Sequence, residues 1–466
     1  MQVKLKFLGG ARSVTGSRYL LEIDHFKLLI DCGLFQGLKE LRLRNWSEFP
    51  IDPSGINAII LTHAHIDHTG YLPKLVKEGF RGPIYCTHPT KDLTQILLAD
   101  SAKLQQEEAE FASKKGYSKH QKPEPLYKIE DAEKVFPMLK ASGFEEVISI
   151  NDKIKFSFYN AGHILGAAIV KITLKGDHQE KKLVFSGDLG RNLDPILNPP
   201  KQLPLSDILF LESTYGDRSQ ENHFPQDELA KAINETYQRG GVSVISAFAV
   251  GRTQLLLYHL HKLQAKGKIP DIPIYVDSPM AIDVTQLYQR YPQYHKLGPI
   301  LEERGCNPFS SKNLHYYQSQ ESSMSLNKIS GDAIIISASG MATGGRILHH
   351  LYNRLPNGND GIIFAGYQAE GTRGSNLVSG EKSVKIYGIE VPVKAKIYNV
   401  RGLSAHADQG ELLEWAEGFI EKPKMTFLIH GEGKASEALA EELKLKYEWQ
   451  TIVPEYLESF VLFDGI

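Results

Sequence analysis

Residues 56–68, INAIILTHAHIDH, decide how the rest of the chain is read. The first half is an apolar run of the length of a buried strand. The second half places His63, His65, Asp67 and His68 within six residues. Side chains on an extended chain alternate with period two, so His63 and His65 point to one side, and Asp67 and His68 in the following turn can face a second point beside it. A histidine-rich loop arising by chance is the bland alternative. Against it, His163 ends KIKFSFYNAGH, Asp188 follows KKLVFSG and His430 ends MTFLIH, each at the carboxyl end of an apolar segment. Open α/β sheets gather their sites there. Any one of these residues alone would pass as structural or capping; together with the cluster they complete a ligand set.

That set suits two divalent ions, one held by His63, His65 and His163, the other by Asp67, His68 and His430, with Asp188 as a carboxylate bridge. Imidazole and carboxylate without thiolate fit zinc and tolerate manganese. Two such ions about 3.5 to 4 Å apart share a hydroxide, lower its pKa toward about 7 and clamp a phosphoryl or carbonyl oxygen. Metal-assisted hydrolysis is the chemistry inferred. His406, in GLSAHAD between a strand and a helix, is a candidate general acid, and Glu212, ending DILFLE, a candidate to orient it and favour its charged form. With Asp67 these are the candidate catalytic residues; on spacing alone, a helix-entry role for His406 and a solvent-facing strand end for Glu212 stay equally open. Two glycine-rich stretches, SASGM at 337–341 and GTRG at 371–374, could cradle a phosphate on backbone N–H groups. Ser337, Ser339, Gly340, Gly371, Thr372 and Arg252 are the candidate contacts, and tight turns the alternative. The other histidines have no ligand partner at metal spacing.

The whole chain has 466 residues, which suggests two or three domains at about 100 to 200 residues each. Hydrophobic residues make up 42% and charged residues 23%, ordinary globular usage that excludes global disorder. Lys and Arg total 53 against 55 Asp and Glu, so bulk charge announces neither a nucleic acid nor a membrane, and a polyanion site has to be local. Cys32, Cys86 and Cys306 are too few and scattered for a disulfide framework or a Cys-rich zinc site. The start, MQVKLKFLGG, reads as an alternating strand and not as a secretion signal, and no apolar run approaches the roughly 20 residues of a membrane helix; a soluble, cytoplasmic protein is expected. Strand-like runs fill the first 90 residues. A long amphipathic helix is expected over about 90–112, then a polar loop with Lys114, Lys115, Lys119 and Lys122, read as a solvated connection. Between about 215 and 390 apolar strands alternate with helices, as βαβ units on a parallel sheet do.

HAHIDH with His163, Asp188 and His430 resembles the metallo-β-lactamase superfamily. ESTYGD at Glu212, SAHAD at His406 and LIHGE at His430 resemble the further motifs of its β-CASP branch, the nucleic-acid-processing group. The resemblance implies an α/β fold: an αββα sandwich built from residues 1–208 and 392–466, with a β-CASP α/β domain, a parallel sheet flanked by helices, inserted at 209–391. Histidine in place of valine in the last motif is the pattern of the RNA-acting members, and SAHAD is similar to the mRNA 3′-end cleavage nuclease and its bacterial relatives. The resemblance therefore implies a two-zinc endoribonuclease of RNA processing or decay, with single-stranded RNA preferred over DNA, no membrane partner and a homodimer as candidate assembly. A 5′-to-3′ exonuclease of the RNase J kind, a hydrolase of small phosphodiesters or thioesters, and a non-catalytic scaffold are the alternatives. Asp31 in DCG would support a ligand from behind. Near-neutral charge implies weak, salt-sensitive RNA affinity, helped by the roughly +4 that two dications bring.

Overall fold

Alternating apolar and charged residues make VKLKFLG a half-buried strand, Val3–Gly9, with Val3, Leu5 and Phe7 inside and Lys4 in solvent. The structure, a computed structural model, describes residues 1–115, 124–177, 179–219, 225–303, 306–366, 368 and 371–466. In the first sheet the order is Ser459–Phe463, Val3–Gly9, Arg18–Ile23, Phe26–Ile30, Ala58–Ile60, Ile84–Thr87 and Leu139–Ser142. The second runs Thr451–Ile452, Met425–Ile429, Ile208–Glu212, Glu180–Phe185, Ala168–Lys175, Ile154–Asn160 and Ile148–Ser149. Their facing sides share one core in which Phe7, Tyr19, Ile30 and Ile60 meet Phe158, Phe185, Phe210 and Phe427. Phe210 stacks on Phe185 at 3.9 Å and on Phe427 at 5.3 Å between ring centres. Truncating such a ring costs about 3 to 5 kcal/mol, so the three parallel strands that carry these rings are held in register by their side chains as well as by their ladders.

Helices cover the outer faces. Leu72–Lys77, His88–Lys115 and Ile129–Glu133 bury Leu72, Leu75, Leu98, Ala102 and Ala132 against the first sheet, and Gly433–Tyr447 packs on Met425–Ile429 of the second. The layering is αββα. The helix expected over 90–112 is His88–Lys115, which takes in Lys114 and Lys115, expected in the basic loop; Lys119 and Lys122 of that loop lie outside the described residues. The chain after His65 forms two short helices, Ile66–Thr69 and Leu72–Lys77. The break has a cause: the Asp67 carbonyl accepts from Ser17 N, and Tyr71 N donates to the Cys32 carbonyl, so no continuous helical ladder forms between them.

The chain divides into two compact units, Met1–Ser219 with His406–Ile466, and Gln220–Ala405. The second unit holds a six-stranded sheet, Leu314–Tyr316, Ile274–Val276, Ala333–Ser337, Val242–Ser246, Gly361–Ala365 and Lys396–Val400, parallel throughout. Its central strands are buried residue by residue, as a sheet covered on both faces requires. The division falls later than the 208/209 and 391/392 expected from sequence. Ile208–Glu212 completes the second sandwich sheet between Glu180–Phe185 and Met425–Ile429, and Lys396–Val400 pairs with Gly361–Ala365 inside the inserted unit. Among the described residues no helix is long and apolar enough to cross a membrane.

Candidate metal centre and active site

Strand ends build the centre. Asp31 follows Phe26–Ile30, His63 follows Ala58–Ile60 after two residues, His163 follows Ile154–Asn160, Asp188 follows Glu180–Phe185, Glu212 ends its own strand and His430 follows Met425–Ile429. The helix Ile66–Thr69, capped by His65, then carries Asp67 in its first turn and His68 in its last. The approach is close. A Cβ on Gly33 would lie 1.6 Å from the Asp67 carbonyl oxygen, and one on Gly190 would lie 1.8 Å from that of Gly162, so only glycine lets these loops pack beside the ligand-bearing ones.

Two groups of donor atoms result, His63, His65, His163 and Asp188, and Asp67, His68 and His430. In the first, His65 Nδ1 lies 3.1 Å from His63 Nε2 and 3.2 Å from His163 Nε2. In the second, His430 Nε2 lies 3.2 Å from His68 Nε2 and 3.3 Å from Asp67 Oδ2. Ligand atoms about 2.0 to 2.1 Å from one tetrahedral ion are about 3.3 Å from each other, so these are the edges of metal-sized tetrahedra. Asp188 faces both groups: Oδ2 is 3.4 Å from His63 Nε2 and 3.7 Å from His163 Nε2, while Oδ1 is 3.3 Å from His68 Nε2 and from His430 Nδ1. Asp188 Oδ1 is buried and forms no hydrogen bond. A buried carboxylate oxygen left so among imidazole nitrogens is a costly arrangement unless a cation occupies the space between them.

Charge states at His63, His65, Asp67 and Asp188 suit ligation. At His68 burial opposes the charge, but the Asp188 and Asp31 carboxylates outweigh it and raise the ring well above the ordinary imidazole value, so it has to release a proton to bind an ion. Burial, with the charge of His68, pushes His63 far below the ordinary imidazole value, and burial brings His65 down to about 4, leaving both as neutral lone-pair donors. Burial works against the charge of Asp67, yet His430 and His68 outweigh it and hold the carboxyl at about 2. Asp188, also opposed by burial, is held well below the carboxylate range by His430, His68 and His63. Asp31 is buried behind His68: its Oδ2 lies 2.8 Å from His68 Nδ1, and its two oxygens accept from Thr62 N at 2.7 Å and Thr62 Oγ1 at 2.8 Å. His68 Nδ1–H is thereby directed to Asp31 and Nε2 to the centre.

Glu212 is fully buried, not solvent-facing, and accepts from Leu189 N at 2.7 Å and Thr214 N at 3.1 Å. Its Oε1 lies 3.3 Å from His406 Nδ1, and His406 Nε2 lies 4.0 Å from Asp188 Oδ2. Burial disfavours a charged His406, but Glu212, with Asp188 and Asp67, reverses the sign and raises the ring to about 8. With its side chain 20% exposed, His406 is an imidazole whose charged form is favoured and which solvent can reach.

The phosphate-cradle candidates all lie in the inserted unit. Ser337 is fully buried and its hydroxyl donates to the Asp277 carbonyl at 3.0 Å, so that group is turned into the fold. Ser339 Oγ shares a 3.0 Å hydrogen bond with Thr343 Oγ1, the Gly340 carbonyl accepts from Gln368 Nε2 at 3.0 Å, and Arg252 Nη1 donates to the Ala365 carbonyl at 2.9 Å. Gly371, in a left-handed conformation, precedes Thr372, which caps the helix Arg373–Val378. The two glycine-rich stretches meet where Gly374 N donates to the Met341 carbonyl at 3.1 Å.

Known proteins match along the chain in this same order: a metallo-β-lactamase superfamily domain over residues 20–204, a Beta-Casp domain over 253–377 and a Zn-dependent metallo-hydrolase RNA specificity domain over 390–454. Ribonuclease TTHA0252 of Thermus thermophilus is 37% identical over 448 residues, spanning 94% of this chain and 95% of its own. The chain belongs to the β-CASP branch of the metallo-β-lactamase superfamily. Other β-CASP relatives are an RNase J-like protein of Methanocaldococcus jannaschii, 32% identical over 97% of this chain and 98% of its own, and transcription termination factor FttA of the same organism, 30% identical over 98% of this chain and 71% of its own. In this β-CASP protein the His/Asp cluster is a site for divalent metal. Sequence reading missed two hydroxyls that serve it. Thr62 Oγ1 donates to Asp31 and lies 3.1 Å from His63 Nδ1; Thr214 Oγ1 donates to the His430 carbonyl at 3.0 Å and lies 3.1 Å from His430 Nδ1. Each hydroxyl is left to accept the imidazole N–H, which fixes the tautomer. The one signal available was their place, beside a ligand at a strand end.

Proposed function

We propose that the protein is a ribonuclease that binds two zinc ions, with manganese as a substitute, and cuts single-stranded RNA internally. His63, His65 and His163 would hold one ion and Asp67, His68 and His430 the other, with Asp188 shared. The observation that carries this is Asp188, whose two oxygens face separate histidine-rich donor sets while a protonated imidazole stands beside them. The relatedness to ribonuclease TTHA0252 supports RNA as the substrate. When bound, the pair of ions supplies a nucleophile at neutral pH and offsets the charge of a phosphoryl group under attack. The chain supplies the rest. Asp31, Thr62 and Thr214 hold the ligand rings in one tautomer and orientation. Glu212 keeps the Nδ1 proton of His406 and raises the ring's basicity; His406 Nε2–H is then the proton delivered to the departing ribose oxygen. Ser339, Gly340, Gly371, Thr372 and Arg252, all of the inserted unit, are proposed phosphate contacts.

The test is one single-stranded RNA labelled separately at each end, incubated with zinc- or manganese-loaded protein, with His406→Ala and an all-DNA strand as controls. Internal fragments from both labels are expected. Release of 5′ mononucleotides alone would replace the endonuclease reading with an exonuclease one. Silence on every strand with two metals bound would overturn the ribonuclease reading.

A further inference from the structure

The chain has three tryptophans. Trp415 and Trp449 are 4% and 5% exposed, whereas Trp46 is 58% exposed, with Leu38 and Leu43 also in solvent. The segment that presents it, residues 38–46, carries Lys39, Arg42 and Arg44 against Glu40 alone, a local positive excess on a chain whose net charge is -2. The segment is anchored. Asn45 is buried, accepts from Phe35 N at 3.0 Å and from Arg18 Nη2 at 3.2 Å, and donates to the Phe35 carbonyl at 2.7 Å; the Arg44 guanidinium sits 4.1 Å from the Tyr456 ring centre. It is tied to the metal centre through one intervening loop, residues 32–35. Cys32 N donates to the His68 carbonyl at 2.7 Å and Leu34 N to the Ile66 carbonyl at 2.9 Å, so the strand-end loop that Asn45 clamps is bonded to the loop that carries Asp67 and His68.

An indole in water just past a short helix, Lys39–Arg44, that carries Lys39 and Arg42, on a segment tied to a phosphodiesterase centre, matches the needs of an unpaired base and its flanking phosphates: every base has a face to stack, and the cations follow the backbone. We propose that residues 38–46 form a lip on which the RNA strand rests, with one base stacked on Trp46 and phosphates facing Lys39 and Arg42. This rests on the ribonuclease reading. It accounts for how a near-neutral chain gathers an RNA, by placing its positive excess where the strand meets the centre.

The burial of Trp415 and Trp449 makes intrinsic fluorescence a reporter of Trp46. Full-length, zinc-loaded His406→Ala protein, which leaves the strand intact, is titrated with a single-stranded RNA oligomer while tryptophan emission and the anisotropy of a labelled copy are followed together. Quenching that tracks binding is expected. Trp46→Phe in that background keeps a stacking face, so affinity persists while the quench disappears. Trp46→Ala weakens binding about tenfold without lowering the melting temperature, and Arg42→Glu makes the salt dependence shallower by about one phosphate contact. RNA that binds with no quench and with undiminished affinity in Trp46→Ala overturns the lip and leaves the ribonuclease reading standing. Failure of any RNA to bind overturns both. Quenching that follows protein concentration without RNA overturns the lip in favour of a second copy of the chain as its partner.

Discussion

Each unit buries an aspartate just past the end of a strand, Asp188 in the first and Asp277 in the second, and the two differ in what surrounds them. Asp277, after Ile274–Val276, receives Arg346 Nη1 at 2.8 Å, His350 Nε2 at 2.7 Å and Ser323 Oγ at 2.7 Å. Asp188, after Glu180–Phe185, has imidazoles as its ion-pair partners and one oxygen without a hydrogen bond. Both carboxyls are held below their ordinary range against the effect of burial. A shifted carboxylate therefore does not mark a site by itself. The mark is whether donors inside the protein already satisfy it, as at Asp277, or whether imidazole nitrogens converge on it from several sides while one oxygen stays without a hydrogen bond, as at Asp188.

The contrast can be broken most decisively at Asp188. Asp188→Ala is expected to empty the centre and abolish turnover, with metal content read by elemental mass spectrometry; full retention of metal would mean that the two aspartates play the same structural part. His406→Ala comes next. It should keep its metal and lose about 10²- to 10⁴-fold in turnover, and metal loss equal to that of Asp188→Ala would erase the division between ligand and acid. Glu212→Gln bears on the same ring: the proton on His406, retained up to about pH 8 with Glu212 charged, would leave at lower pH, so the alkaline limb of the rate profile should shift downward.

Asp277→Ala should do the opposite of Asp188→Ala. It removes one partner of a buried charged cluster, which costs about 3 to 5 kcal/mol, while metal content stays as in the parent; denaturant unfolding and metal analysis on one preparation decide this. Because the folded carboxyl is depressed, its stabilisation is present above the unfolded value near about 3.9 and fades as pH falls through the folded one. The smallest effect sharpens the picture. Thr214→Val takes away the acceptor for His430 Nδ1–H and should weaken metal binding about 10- to 100-fold, measured by competition with a chelator, with the sandwich itself unaltered.

Much of the centre is legible in the sequence, for physical reasons that do not extend to the whole. HAHIDH, His163, Asp188 and His430 stand out because metal ligands are rare residue types at a place that sheets reserve for sites. Thr62 and Thr214 do not, because a threonine at a strand end has many ordinary uses and only the imidazole beside it gives it another. Ser337 looks available in a small-residue turn, yet the parallel sheet buries it, and its hydroxyl is spent on the Asp277 carbonyl. The unit boundaries are displaced for a related reason: Ile208–Glu212 and Lys396–Val400 are equally strand-like in sequence, and pairing alone says which sheet each joins.

The order in which the ribosome delivers these residues carries a further consequence. Asp31, His63, His65, Asp67 and His68 are made early, but Met425–Ile429, which bears His430, fits between Ile208–Glu212 and Thr451–Ile452, and Ser459–Phe463 closes the first sheet beside Val3–Gly9. Pairings so distant in sequence form late and slowly. A growing chain thus lacks His406 and His430, and with them part of the set that surrounds Asp188, until those residues have been synthesised and their late pairings have formed.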